Sequence, residues 1–127
     1  MKILFMTLLD IRSANNHDIY TDLLREFAIN GHEVYVLSPV ERRHKIKTYV
    51  INEIPNPLMK PIHILKIRTG NIQKTSFIEK GISTVLLEHQ FDYSFKKYFG
   101  DIAFDLILFS TPPVTIVKPI NSVIRYN

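Results

Sequence analysis

An α/β fold with a mainly parallel, twisted sheet and flanking helices is what this sequence predicts, and three observations carry that prediction. Residues 2–7 (KILFMT) and 104–109 (FDLILF) are short, nearly continuous apolar runs, the pattern of strands buried on both faces. Between the first run and the next, Val34–Leu37, lies an amphipathic stretch stopped by Gly31, so the opening reads as a βαβ unit with a right-handed crossover. A second helical stretch, residues 76–99, stands before the 104–109 run and repeats the alternation of strand and helix.

Taken in order, the run at 2–7 is the first strand, and a loop follows from Leu8 to Asn16. Asn15 and Asn16 are suited to cap a helix, because a side-chain oxygen there accepts an otherwise unpaired backbone N–H. Ile19, Tyr20, Leu23, Leu24, Phe27 and Ala28 share one helical face. Gly31 stands where a left-handed residue closes the helix, and glycine takes that conformation without steric cost. Val34–Leu37 forms the second strand, which Pro39 is expected to end.

The spacing of Ile46, Tyr49, Val50 and Ile51 predicts a half-buried strand over Lys45–Glu53. Pro55, Pro57 and Pro61 mark a connector before a stronger strand, Ile62–Arg68, ended by Thr69 and Gly70. Two strands joined without a helix predict an antiparallel pair or an edge excursion. Ser76 and Glu79 fit a capping box that opens the long helix. Its buried face is expected along Ile78, Ile82, Val85, Leu86, His89 and Tyr93, with Phe95, Tyr98 and Phe99 at the far end. Gly81 inside it costs about 1 kcal/mol against alanine, whereas Lys96, Lys97 and Gly100 suit its end. The 104–109 run is a further buried strand. Thr111 and Pro112 then suit the start of another helix, placing Ser110–Pro113 at the same sheet edge as the Leu8 loop. Residues 114–127 are helical in pattern, with a kink or break expected at Pro119.

The chain of 127 residues is read as one domain, and 46% apolar content suffices for a core. No stretch reaches the roughly 18 consecutive apolar residues of a membrane span, and the opening apolar run breaks at Asp10 and Arg12 without a cleavage site. The absence of cysteine removes disulfide and thiolate chemistry and is compatible with a reducing cytoplasm. The net charge of +4 is concentrated at Arg42, Arg43, His44, Lys45 and Lys47 and continued by Lys60, Lys66, Arg68, Lys74 and Lys80. These positions read either as a solvated loop and strand edge or as attraction to an anionic surface, a phosphate-bearing substrate or a membrane leaflet. Nucleic acid is disfavoured, because the aromatics do not interleave with the basic residues as a stacking platform requires.

Chemistry is sparse. The glycines (Gly31, Gly70, Gly81, Gly100) all lie outside the first strand–helix loop, so neither a dinucleotide fingerprint nor a P-loop is present, and no cofactor is expected. The five histidines show no metal-ligand spacing. His32 and His63 read as structural residues beside strands, and Asp105 as structural at the amino end of its strand. Ligands of parallel sheets bind at the carboxyl ends of strands, which directs attention to the Leu8–His17 loop and to Ser110 and Thr111. Asp10 either positions a hydroxyl or orders its own loop. His17, read in the first helical turn, either hydrogen-bonds a substrate or is simply solvated. Ser110 and Thr111 pair hydroxyls with helix N–H groups, a cradle for a carbonyl, hydroxyl or phosphate.

MKILFMTLLDIRS, IYTDLLREFAINGHEVYVLSPVERR, ILKIRTGNIQKTSFIEKGISTVLLEHQF and FDLILFSTPPVT together resemble the amino-terminal part of bacterial GT-B glycosyltransferases, nearest the family-4 enzymes of capsular and O-antigen polysaccharide synthesis. The resemblance spans nearly the whole chain. It implies an incomplete Rossmann-like lobe on the acceptor side, the donor-binding lobe being absent from the 127 residues, and hence a fragment inactive alone. In the full enzyme it implies metal-free, retaining transfer from a nucleotide-sugar to a glycan or lipid-linked acceptor, in the cytoplasm at the inner membrane face. Arg42, Arg43, Lys45 and Lys47 would meet that membrane. The loop Asp10–His17 would face the cleft, making Asp10, Ser13, Asn15, Asn16 and His17, with Ser110 and Thr111, the expected substrate contacts. That loop is glycine-rich in many relatives and has no glycine here. The Ser110–Pro113 turn lacks the histidine that many relatives place there, and no catalytic residue is assigned. A lobe face left uncovered would favour self-association. The alternative reading is a self-sufficient flavodoxin-like binding or interaction domain.

Overall fold

The computed structural model describes residues 1–41, 44–70, 76–110, 121, 124 and 125. Their order is β1 (Lys2–Met6), α1 (Ile19–Ile29), β2 (Glu33–Glu41), β3 (Tyr49–Glu53), β4 (Ile62–Thr69), α2 (Phe77–Phe99) and β5 (Leu106–Phe109). The strands form one sheet ordered β3-β4-β2-β1-β5. β1, β2, β4 and β5 run parallel, and β3 alone is antiparallel, on β4. The half-buried strand expected over Lys45–Glu53 begins only at Tyr49, and it is both an antiparallel partner and an edge.

Numbered in chain order without β3, the parallel strands read 3-2-1-4. This is the Rossmann-like doubly wound order and differs from the 2-1-3-4-5 order of flavodoxin-like sheets. The chain grows outward from β1 through β2 to β4, then crosses to the far side of β1 to place β5. Right-handed crossovers in opposite directions put their helices on opposite faces. Accordingly α1 packs with Phe5, Val34, Val36, Ile62 and Ile64, while α2 packs with Leu4, Met6, Leu37, Leu65 and Ile67.

Local chemistry corrects several boundaries. The cap of α1 is Asp18, not Asn15 or Asn16: its carboxylate accepts from the N–H groups of Tyr20 and Thr21, and the Thr21 hydroxyl accepts from the N–H of Asp18. A carboxylate answers both the unpaired donors and the positive end of the helix dipole, which an amide does only in part. His17 consequently precedes the cap and is not in the first turn. The buried stripe of α1 is Thr21, Leu24 and Ala28, with Ile19 and Leu23 exposed. Gly31 does close the helix, at φ +84°, with its N–H on Ala28 and that of His32 on Phe27.

Pro39 does not end β2. The carbonyl of Leu37 accepts from Thr7, so by alternation the nitrogen of Pro39 also points to the β1 side, where β1 has already stopped. No ladder bond is lost there.

The larger correction concerns α2. Its buried stripe is Leu87, Phe91, Ser94, Phe95 and Phe99, whereas Ile78, Ile82, Val85, Leu86 and Tyr93 are exposed. Both stripes have helical spacing, and the aromatic one fills the sheet face, with Phe95 and Tyr35 packed on Phe104. Phe77, Ile78, Ile82, Val85 and Leu86 line an open apolar depression of about 430 Å³. Ser76 precedes the first helical residue as expected, and the side chain of Glu79 is not among those described. β5 is shorter than the apolar run and lies at the sheet edge, so Leu106 and Phe109 are exposed rather than buried. Asp105 keeps its structural role at the amino end, its carboxylate accepting from the N–H of Lys2 at 2.6 Å. The expected helix over residues 114–127 and its Pro119 kink lie outside the described residues, apart from helical Asn121, Ile124 and Arg125.

Candidate functional site at the carboxyl edge

The direction of winding reverses between β1 and β5, and doubly wound sheets bind ligands in the crevice beyond the carboxyl ends of such strands. Here that position is occupied by two hydroxyls. Thr7 Oγ1 and Ser110 Oγ are 2.8 Å apart, the N–H of Ser110 donates to Met6, and Thr7 Oγ1 also accepts from Leu9. Thr111, the other expected member of this turn, lies outside the described residues.

From Thr7 the chain leaves the edge and folds back over the α1 face of β2 and β4, burying Ile11 and Ala14. Beneath this loop lies a residue expected among the basic positions of a solvated edge or an anion-attracting surface. Lys66, on β4, is 1% exposed. Its ammonium donates to Asp10 Oδ1 at 2.6 Å, Ser38 Oγ at 2.8 Å, and the carbonyls of Ile11 and Pro39, each at 2.9 Å. Ser38 in turn donates to the carbonyl of Leu9 at 2.7 Å and accepts from the N–H of Ile11 at 2.9 Å. The available signal was parity: Ile62, Ile64 and Lys66 share one face of a strand whose other face is also apolar, so a lysine there has to be buried and paired.

Asp10 therefore orders its own loop. Its second oxygen accepts from Arg12 Nε at 2.8 Å, so both carboxylate oxygens are engaged. Burial pushes the Asp10 carboxyl upward, but the hydrogen bonds and charges of Lys66 and Arg12 outweigh it and hold the group below its ordinary value. Burial likewise pushes the Lys66 ammonium below the ordinary lysine value, opposed by Asp10.

Ser13 donates to Glu53 Oε2 at 3.1 Å, and the same oxygen accepts from the N–H of Ala14 at 2.6 Å. Glu53, at the end of β3, was no part of the sequence reading of this site. The side chains of Asn15 and Asn16 are exposed, while the N–H of Asn15 donates to Ser13 Oγ and the carbonyl of Asn16 accepts from Thr21 Oγ1 and Arg25. His17 is also exposed, with Nδ1 3.2 Å from Arg25 Nη2 and 3.5 Å from Asp22. The structure thus brings Asp10 and Ser13 into one supported loop with Asn15, Asn16 and His17 on its outer side, and Ser110 beside its root.

Among the described residues no cluster of metal-ligating side chains occurs, and no helix is long and apolar enough to cross a membrane. No known protein family, curated protein or solved structure matches this chain.

Proposed function

We propose that this chain forms the acceptor-side lobe of a GT-B-type glycosyltransferase, receiving sugar hydroxyls at the carboxyl edge while a nucleotide-sugar is held by a separate lobe. One observation carries the reading. Among the described residues of the β1–α1 loop, backbone donors that a phosphate would use are already answered from within the protein: the N–H of Leu9 by Thr7, that of Ile11 by Ser38, that of Ala14 by Glu53, and those of Tyr20 and Thr21 by Asp18. A carboxylate sits at the positive end of α1, where anion-binding sheets of this kind place their phosphate. The exposed side chains of this loop include the amides of Asn15 and Asn16 and the imidazole of His17, with the Ser110 hydroxyl at its root, groups that suit a neutral polyol; the charge of exposed Arg12 is matched by Asp10. The strand order also favours this reading over a flavodoxin-like domain.

Exposed Lys45 and Lys47 support contact of the full enzyme with an anionic membrane face, where a lipid-linked acceptor would be presented. Arg42 and Arg43, their expected partners, lie outside the described residues.

The test is calorimetric titration of the chain with UDP-sugars, together with NMR titration with neutral oligosaccharides. The expected result is no specific nucleotide binding, and oligosaccharide shifts confined to Asn15, Asn16, His17 and Ser110. Tight nucleotide binding, or oligosaccharide shifts elsewhere only, overturns the proposal.

A further inference from the structure

We infer that Lys66 is the positioning residue of the edge loop: its buried ammonium, presented from β4, dictates the path of residues 9–11 beside the β1/β5 crevice. The inference concerns the loop itself and stands whichever ligand the crevice takes.

The loop has little of its own to define its course. Its internal backbone bonding near the root is one contact, Ile11 N–H to the Leu9 carbonyl, and that N–H is shared with Ser38. What fixes it comes from the sheet beneath. Lys66 holds Asp10 and Ile11 of the loop and at the same time Ser38 and Pro39 of β2, so one group joins the loop to two strands.

The proton pattern is determined. Ser38 has a single hydroxyl proton, and with the N–H of Ile11 and the Lys66 ammonium both donating to its oxygen, that proton goes to the Leu9 carbonyl. The Lys66 nitrogen then faces four acceptors and no donor. An ammonium has three protons to share among them. A neutral amine has two, and would turn its lone pair toward a carbonyl or carboxylate. The arrangement calls for the charged form, and Asp10 supplies the compensating charge on the side where the pocket meets solvent. A loop fixed by its own turns would not need this cation. A loop fixed by this cation loses its path when the cation is removed, even where the sheet persists.

The experiment is amide hydrogen exchange by NMR on the chain and on Lys66→Met, which keeps the buried stem and removes the charge. The expected result is exchange at Leu9 and Ile11 faster by about tenfold or more, with Ala14, held by Glu53, and Leu24, Val36 and Ile64 keeping their protection. Equal acceleration at all six amides marks Lys66 as a general stability residue and overturns the inference, as does unchanged exchange in the loop. Should Lys66→Met fail to fold, the Nζ resonance of the unaltered chain decides. A slowly exchanging Lys66 ammonium signal that shifts in Asp10→Asn supports the inference. One that exchanges like those of exposed Lys45 and Lys47 overturns it.

Discussion

Asn52 and Glu53 are neighbours on β3, yet they tie opposite faces of the sheet. Asn52 Oδ1 accepts from His63 Nδ1 at 2.6 Å on the α2 face, and Glu53 reaches Ser13 and Ala14 on the α1 face. The edge strand thereby fastens the β1–α1 loop to the aromatic cluster in which His63 stacks on Tyr35 at 4.6 Å. Two hydrogen bonds to one charged acceptor predict that Glu53→Ala loses about 1–3 kcal/mol in urea unfolding. Glu53→Gln, which keeps an acceptor oxygen, is expected to lose less than half of that.

Acid should weaken the fold in two steps. Burial holds His63 below its ordinary 6.5, with Glu33 opposing, so the folded state binds fewer protons than the unfolded one. That contribution is present above pH 6.5 and is lost as pH falls through the folded value. Asp10, held below its ordinary 3.8, contributes above that pH and is lost as pH falls further. Urea midpoints measured from pH 7 to pH 3 should show both limbs. His63→Gln should remove the upper one and Asp10→Asn the lower, and a single limb in the unaltered chain would refute the scheme.

The two stripes of α2 should behave differently. Phe91 is fully buried in the sheet-facing core, and Phe91→Ala is expected to cost about 3–5 kcal/mol. Ile82 is 59% exposed, and Ile82→Ser should stay within about 0.5 kcal/mol. Paired urea curves on the isolated chain decide which stripe faces the core.

Loss of the α1 cap should be modest and side-chain specific. Asp18→Ala removes the acceptor for Tyr20 and Thr21 and is expected to cost about 1 kcal/mol, while Asp18→Asn retains most of the capping. Thermal melts followed by circular dichroism at several pH values measure both.

What the sequence made legible follows from which signals are local. The βαβ opening was readable because apolar continuity, helical spacing and the left-handed Gly31 all act within a few residues. The loop was readable as a place, but its residues part company: Ser110 pairs with Thr7 at the loop's root, while Asp10 and Ser13 are held by Lys66 and Glu53 over the sheet. The pairings that define it were not readable, because Lys66 and Asp10 stand 56 positions apart and Glu53 reaches Ser13 from 40. Helical spacing was ambiguous in α2, which carries two apolar stripes; only the sheet it meets chooses between them. Asn15 and Asn16 were good caps by residue type, but the loop needed two more residues to return over the sheet before the helix could begin at Ile19.

The pairing of β1 has a consequence for the growing chain. β2 follows it closely and covers one side, but the other side waits for β5, with Thr7 meeting Ser110 across 103 positions. During synthesis at about 5–20 residues per second, β1 therefore spends several seconds with one row of backbone donors and acceptors unmatched. Of the described strands, β1 waits longest for its second neighbour, and a nascent chain held before Leu106 presents β1 itself as an open edge to its neighbours.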